Sequence, residues 1–225
     1  MESKEIIKNI TQIYSRFEVP SNLQMHQKRV ASVGALIWDN RKENPKNDEI
    51  IKEDIVAALL IHDIGNIVKF DFSEKTINIL GKEAERIEHW KNVKKKIIQK
   101  YGKDDHDATW NMALELGASE GVKQLLQQVD FSRIEEVFKS NKLAFKICTY
   151  SDFRVGPFGI INLKERINDL KRRYKGRDDP LGKPECEYLY EFYYEIEKQL
   201  MKTLQISKED INDDSIRSYF EGFSL

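Results

Sequence analysis

The feature that most constrains the fold of this chain is the helical spacing of its apolar residues, which recurs along nearly its whole length. Only 11 glycines and 5 prolines interrupt the 225 residues. No segment alternates between apolar and polar residues strictly enough to predict a strand. Helices with one apolar face must bury that face against other elements. The sequence therefore predicts an all-α protein.

Capping residues and helix-breaking residues mark the predicted helix boundaries. Ser3 and Ser21 are expected to cap the first two helices, and Gly65 to close the third in the left-handed conformation. Residues 66–81 are expected to be irregular. The predicted helices span 3–17, 21–40, 48 or 54 to 65, 83–101, 105–116, 119–129, 132–140, 141–155, 162–175 and 185–204.

The stretch 174–184 contains two glycines and two prolines, a composition that favours a linker. It divides a predicted main domain, residues 1–175, from a helical extension, residues 176–225, which we expect to pack on the same domain. Aromatic residues at helical spacing in 187–195 predict core packing for this extension. The same helix could form a contact between two copies of the chain.

The charge balance argues against several classes of function. The chain has 37 Lys and Arg against 38 Asp and Glu, whereas duplex-DNA-binding proteins usually carry a basic excess. The basic run 164–177 is predicted to be a solvated helix face. No apolar run reaches the roughly 18–20 residues of a membrane helix, and the first ten residues lack a signal-peptide core. Cys148 and Cys186 form no Cys-x-x-Cys motif. We therefore expect a cytoplasmic protein that binds neither membranes nor nucleic acid.

His62 and Asp63 end an almost wholly apolar helix just before Gly65. An ionised carboxylate in apolar surroundings is costly unless it is paired, and the dipole at a helix C-terminus disfavours it further. A metal ion, a Lys or Arg partner, or backbone hydrogen bonds in a turn could each satisfy Asp63.

Two further residues complete a candidate ligand set. His26 shares the apolar face of its helix, and Asp152 flanks the apolar face of a later helix. Taken singly, each is better explained as a hydrogen-bonded core histidine and a paired aspartate. With His62 and Asp63 they offer two imidazoles and two carboxylates, which suit Mn, Fe, Co, Ni, Zn or Mg. Spacing alone leaves a divalent metal site and purely structural roles about equally favoured.

The ordered set His26, His62-Asp63 and Asp152 resembles the signature of the HD-domain superfamily of metal-dependent phosphohydrolases. The segments HQKRVASVGALI, AALLIHDIG and TYSDFRVGPFGIINLKERINDL resemble the corresponding parts of that family, over about residues 20–175. The resemblance implies an HD-type helical bundle whose four signature residues hold a divalent metal. It also implies hydrolysis of a nucleotide or a related small phosphate ester.

The resemblance also suggests roles for neighbouring residues. Many relatives carry Lys or Glu three positions after the motif aspartate, where this chain has Asn66. An amide cannot be a general base at neutral pH, so Asn66 would position water or substrate while Asp63 or a metal-bound neighbour guides the proton. Arg29 and Lys69 are expected to stabilise phosphate charge, and Arg154 is a third candidate.

The number of bound metal ions distinguishes a one-metal hydrolase from a two-metal oxygenase. His106 lies where two-metal relatives carry further ligands, although a packing role at the start of its helix is about as well favoured. His89, Asp107 and Asp130 are weaker candidates. An HD-type di-iron oxygenase would need this fuller set. The missing general base favours a catalytically weak module that binds metal or nucleotide. We expect one tightly held metal and a hydrolase.

Overall fold

The computed structural model describes residues 1–43, 50–72 and 80–223. These ranges are helical and contain no strand beyond two isolated bridges, which confirms the all-α prediction. None of the described helices is both long and apolar enough to cross a membrane. The helices are α1 (Ser3–Lys8), α2 (Ile10–Arg16), α3 (Ser21–Asp39), α4 (Lys52–Ile61), α5 (Ile87–Tyr101), α6 (Asp105–Leu116), α7 (Glu120–Leu126), α8 (Ile134–Lys139), α9 (Leu143–Phe153), α10 (Leu163–Tyr174), α11 (Leu189–Thr203) and α12 (Arg217–Glu221). Short 3₁₀ turns cover Asn66–Lys69, Gly81–Arg86, Phe131–Arg133, Pro180–Gly182 and Pro184–Cys186.

Helix α4 forms the centre of the fold. Its run IVAALLI, residues 55–61, is at most 5% exposed at any position. A helix without a polar face must be surrounded by other elements, and α1, α3, α7 and α9 pack around it. The Tyr14 hydroxyl donates to the Leu60 carbonyl at 2.7 Å, which ties α2 to the C-terminal turn of α4.

Two glycines allow the close approaches that position the end of α4. A Cβ atom at Gly34 would lie 2.4 Å from Leu59 Cδ1, so α3 crosses α4 with little space between them. A Cβ atom at Gly65 would lie 2.5 Å from the backbone nitrogen of Thr109 in α6. The residues between Leu59 and Gly65, which include His62 and Asp63, are therefore held between α3 and α6.

Several predicted helix boundaries are wrong. The helix predicted over 3–17 is split into α1 and α2, and Ser3 is buried, where its hydroxyl donates to Asp54 instead of capping α1. Pro20 occupies the N-cap position predicted for Ser21. Gly65 has a φ of -86°, so it does not close α4 in the left-handed conformation. Its small size, which permits contact with α6, explains the glycine instead.

Two of the predicted boundaries touch residues outside the described ranges. A helix start at Asp48 and the irregular structure predicted for 73–79 both fall there. In the described part, α4 begins at Lys52 rather than at Asp54. Residues 66–69, predicted to be irregular, form a 3₁₀ turn.

The C-terminal residues pack on the same core as α3, α4 and α9. Helix α11 buries its apolar face there, and the Tyr150 hydroxyl donates to Glu197 at 2.7 Å. The Arg154 guanidinium donates to the carbonyls of Lys208 and Ile211, at 3.2 and 2.9 Å. These bonds fasten the C-terminal segment to the end of α9, which carries Asp152.

Candidate metal centre

Three helices bring together the side chains of His26, His62 and Asp152. His26 lies in the second turn of α3, His62 directly follows α4, and Asp152 lies in the last turn of α9. The distance from Asp152 Oδ1 is 3.1 Å to His26 Nε2 and 3.5 Å to His62 Nε2. Each residue offers one ligand atom within 4.8 Å of the others. This spacing matches a group that could hold one metal ion.

Asp63 lies at the edge of this group. Its Oδ2 atom is 3.8 Å from the Nε2 atoms of both His26 and His62. The Asn66 amide donates to the same oxygen at 2.9 Å, and the Asp63 backbone N–H donates to Gln27 Oε1 at 3.1 Å. Asn66 and Gln27 thus orient the residue and its carboxylate toward the histidines.

The tautomer of His62 follows from its surroundings. Its Nδ1 atom lies 2.7 Å from the Leu59 carbonyl, which only accepts, so Nδ1 carries a proton. In the neutral ring, Nε2 then holds a lone pair. That atom is buried and has no hydrogen-bond partner. A buried lone pair that faces the Asp63 and Asp152 carboxylates is repelled unless a cation lies between them. The residues therefore fit a metal ion.

The charges in the cluster lead to the same conclusion. Burial lowers the pKa of His62, but the carboxylates of Asp63 and Asp152 outweigh it and raise that pKa to about 9. Burial opposes ionisation of Asp152, but the hydrogen bond with His26 and the positive charges of the two nearby histidines hold its pKa well below the usual range. Without a metal, the site therefore binds a proton on His62 as a substitute cation.

A cavity of about 750 Å³ opens beside the cluster, which is within the size range of small-molecule sites. All four predicted metal ligands line it, and so does Asn66. His106 also lines it, but His106 is 45% exposed, and its Nε2 atom lies 3.9 Å from Asp105 and 3.9 Å from Asp130. Among the described residues, the group that could hold a metal does not include His106.

The three candidate phosphate-binding cations have different surroundings. Lys69 lines the cavity, where it pairs with Asp105 at 2.9 Å and Asp179 at 3.5 Å. Arg29 is absent from the described residues that line the cavity, and its Nε atom lies 3.8 Å from Asp213. Arg154 is 4% exposed and bonds to backbone carbonyls. The phosphate role considered for Arg154 is therefore wrong, because the C-terminal segment covers and saturates its guanidinium.

The weaker ligand candidates lie in other settings. Asp107 and Asp130 line the cavity, and Asp130 caps a 3₁₀ turn through the Ser132 N–H at 2.8 Å. His89 is not among the described residues that line the cavity. It lies 3.8 Å from Glu18 at the surface. None of the three belongs to the group around Asp152, within the part of the chain that the structure describes.

Arg166 and Gln27 lie at the site although neither was predicted to be there. Arg166 belongs to the basic run 164–177 that was predicted to be solvated, yet it is 8% exposed and lines the cavity. The prediction is wrong for this face of α10. Arg166, Leu170 and Arg173 follow one another at intervals of four and three residues, which is the available sequence signal for a shared buried face. Gln27 gives no signal, since a glutamine beside a histidine is ordinary on a helix.

The chain was compared with protein-family models, with curated proteins and with solved structures, and none of the three comparisons gives a match.

Proposed function

We propose that this protein is an HD-type metal-dependent phosphohydrolase that acts on a nucleotide or a related small phosphate ester. The observation that carries the proposal is the convergence of His26, His62 and Asp152, with Asp63 at 3.8 Å, beside a cavity of about 750 Å³. The sequence resemblance to the HD-domain superfamily rests on the same four residues. The cavity is large enough for a nucleotide.

His26, His62, Asp63 and Asp152 would hold the ion, and Mn, Fe, Co, Ni, Zn or Mg all accept such nitrogen and oxygen ligands. A divalent ion would polarise the phosphoryl group and lower the pKa of water at the site. Asp63 is the carboxylate that would receive the proton of the attacking water. Asn66 donates to Asp63 Oδ2 at 2.9 Å, which leaves Oδ1 as the oxygen available to accept.

The surroundings of His106 help to decide between the hydrolase and the other candidate enzyme, a di-iron oxygenase. A di-iron site needs additional ligands, and His106 is the strongest candidate for one. Its Nε2 atom is directed toward Asp105 and Asp130 at 3.9 Å, and it stays outside the ligand group in the described residues. This arrangement favours one metal and a hydrolase over a di-iron oxygenase.

A module that binds metal or nucleotide without turnover is the second candidate, and a specific observation favours it. The position that carries Lys or Glu in many relatives holds Asn66, whose amide is engaged with Asp63. In such a module the four ligands would serve as a stabilising metal clamp. The test below separates the two candidates.

The test is turnover of a panel of nucleoside monophosphates, triphosphates and cyclic nucleotides by metal-loaded protein, with each of the six metals. We expect hydrolysis of at least one substrate, detected by chromatography of the nucleotide products, and a loss of about 10²-fold or more in Asp63→Asn. Asp107→Asn is the matched control, because Asp107 lines the same cavity outside the ligand group. Protein that holds one equivalent of metal but hydrolyses no substrate of the panel would refute the hydrolase and leave the binding module.

A further inference from the structure

One face of helix α10 lines the same cavity as His26, His62, Asp63 and Asp152. Arg166, Leu170, Arg173 and Tyr174 all contribute to this wall. Arg166 is 8% exposed, so its guanidinium is withdrawn from bulk water. Burial lowers the pKa of Arg166, and the charge of Asp152 opposes that effect, which places the guanidinium within electrostatic reach of the cluster. Arginine remains charged in such surroundings.

The positive charge of this wall is incompletely neutralised. The Arg166 Nε–H is buried and has no hydrogen-bond partner, and its ion-pair partner, Asp169, lies 3.7 Å from Nη1. The same carboxylate also pairs with Arg173 at 2.8 Å and with Arg172 at 2.9 Å. Three guanidinium groups thus share one carboxylate. A buried donor without an acceptor is costly, so this side chain is suited to a ligand that accepts hydrogen bonds.

The other cations of the cavity have carboxylate partners of their own. The closest pairs are Lys69 with Asp105 at 2.9 Å, Arg177 with Asp71 at 3.5 Å, and Arg133 with Glu136 at 2.7 Å. Although burial opposes it, the carboxylates of Asp105 and Asp179 raise the pKa of Lys69 above its ordinary value. A ligand would have to displace these partners to reach Lys69, whereas Arg166 already lacks an acceptor.

We propose that Arg166 and Arg173 bind the phosphate group of the substrate, in the form of a phosphate-monoester dianion, beside the metal cluster. This inference rests on the proposed function. Guanidinium groups match the oxygen spacing of phosphate with parallel N–H donors, and such charge-assisted bonds are stronger than neutral ones. Because Asp63 and Asp152 are also negative and line the cavity, the dianion binds well only when a metal offsets their charge.

The test is calorimetric titration of inorganic phosphate into metal-loaded and into chelated protein. We compare wild type with Arg166→Met, which keeps the length and apolar packing of the side chain, and with Arg173→Met. Arg172→Met is the matched control, because Arg172 pairs with the same carboxylate but is 80% exposed and does not line the described cavity. Metal content is measured for every variant.

In metal-loaded protein we expect Arg166→Met to weaken phosphate binding by about 10- to 100-fold, and Arg173→Met by a smaller factor. Arg172→Met should stay within about twofold of wild type, since a solvated ion pair contributes little. Equal phosphate affinity in Arg166→Met, Arg173→Met and Arg172→Met would overturn the inference. So would metal-loaded wild type that binds no phosphate. If Arg166→Met does not fold, the phosphate affinities of Arg166→Lys and Arg173→Met test the inference instead. Arg166→Lys keeps the charge but loses the planar fork.

This inference and the proposed function fail in different ways. Wild type that binds phosphate through Arg166 but hydrolyses no nucleotide contradicts the hydrolase alone. Wild type that hydrolyses a nucleotide, with an unchanged KM and unchanged phosphate affinity in Arg166→Met, contradicts the phosphate site alone.

Discussion

Removing the metal should lower the melting temperature, because the ion would bind only the folded chain and would join α3, α4 and α9. An ion at 100 times its dissociation constant adds about 2.7 kcal/mol to the free energy of unfolding. The entropy of unfolding is about 2.1 cal/mol/K per residue, which gives about 0.47 kcal/mol/K for 225 residues. Dividing the first quantity by the second predicts a fall of about 6 °C on chelation.

The assay is thermal unfolding of the metal-loaded and chelated protein, followed by circular dichroism, at several metal concentrations. His26→Ala removes one ligand and should abolish the response to chelator. His89→Ala is the matched control, because His89 lies at the surface against Glu18, and this variant should keep the full response. Equal melting temperatures with and without metal in wild type would refute a metal that joins the three helices. So would a response in His26→Ala equal to that of wild type.

Three further predictions concern packing, pH and metal count. Gly65→Ala places a Cβ 2.5 Å from a backbone atom and should lower the free energy of unfolding by about 1–3 kcal/mol. Gly34→Ala should lower it by less, because its Cβ meets the movable end of the Leu59 side chain. A lower melting temperature in Gly34→Ala than in Gly65→Ala would contradict this packing argument. The pKa of His62 is raised from 6.5 to about 9 in the metal-free fold, so its contribution to stability is complete below pH 6.5 and is lost as the pH rises to 9. The melting temperature of the chelated protein should therefore fall as the pH rises through this window. The affinity for metal should rise over the same window, because His62 loses the proton that competes with the ion. A chelated sample whose melting temperature does not fall would exclude a charged His62. His106→Ala should keep one equivalent of metal by elemental analysis, whereas two equivalents in wild type and a loss in the variant would show a second site.

Helical period explains why the all-α fold could be predicted from the sequence. For His26, His62 and Asp152 it left a metal site and structural roles about equally favoured, and the resemblance to the HD-domain superfamily predicted that they form one site. Each of these residues lies on, beside or at the end of an apolar face, and apolar faces of neighbouring helices must meet. The period does not give interhelical distances. The close approach of α4 to its neighbours depends on which residues lack a side chain at the crossing, as Gly34 and Gly65 do.

The cations could not be assigned in the same way, because their burial depends on segments distant in the chain. Arg154 follows Asp152 closely and was a candidate for substrate binding, but residues 208 and 211 supply the carbonyls that bind it. Arg166 shows the opposite error, because it was predicted to be solvated and instead lines the cavity. Its local sequence is highly charged and typical of a solvated face, yet it is almost fully buried where α10 meets the cavity. Closeness to Asp152 in the chain therefore misled for Arg154, and local charge density misled for Arg166.

Two features of the cluster formed by His26, His62, Asp63 and Asp152 are not explained by packing. Asp63 follows the C-terminal end of a fully buried helix, and His62 Nε2 is buried without a hydrogen-bond partner. Both features are unfavourable in a chain that only has to pack. Gln27, Asn66 and the Leu59 carbonyl nevertheless hold the two residues in this arrangement. Since these bonds orient the side chains but supply no positive charge of their own, the arrangement is better explained by a site for a cation, either a proton on His62 or a bound ligand, than by packing alone.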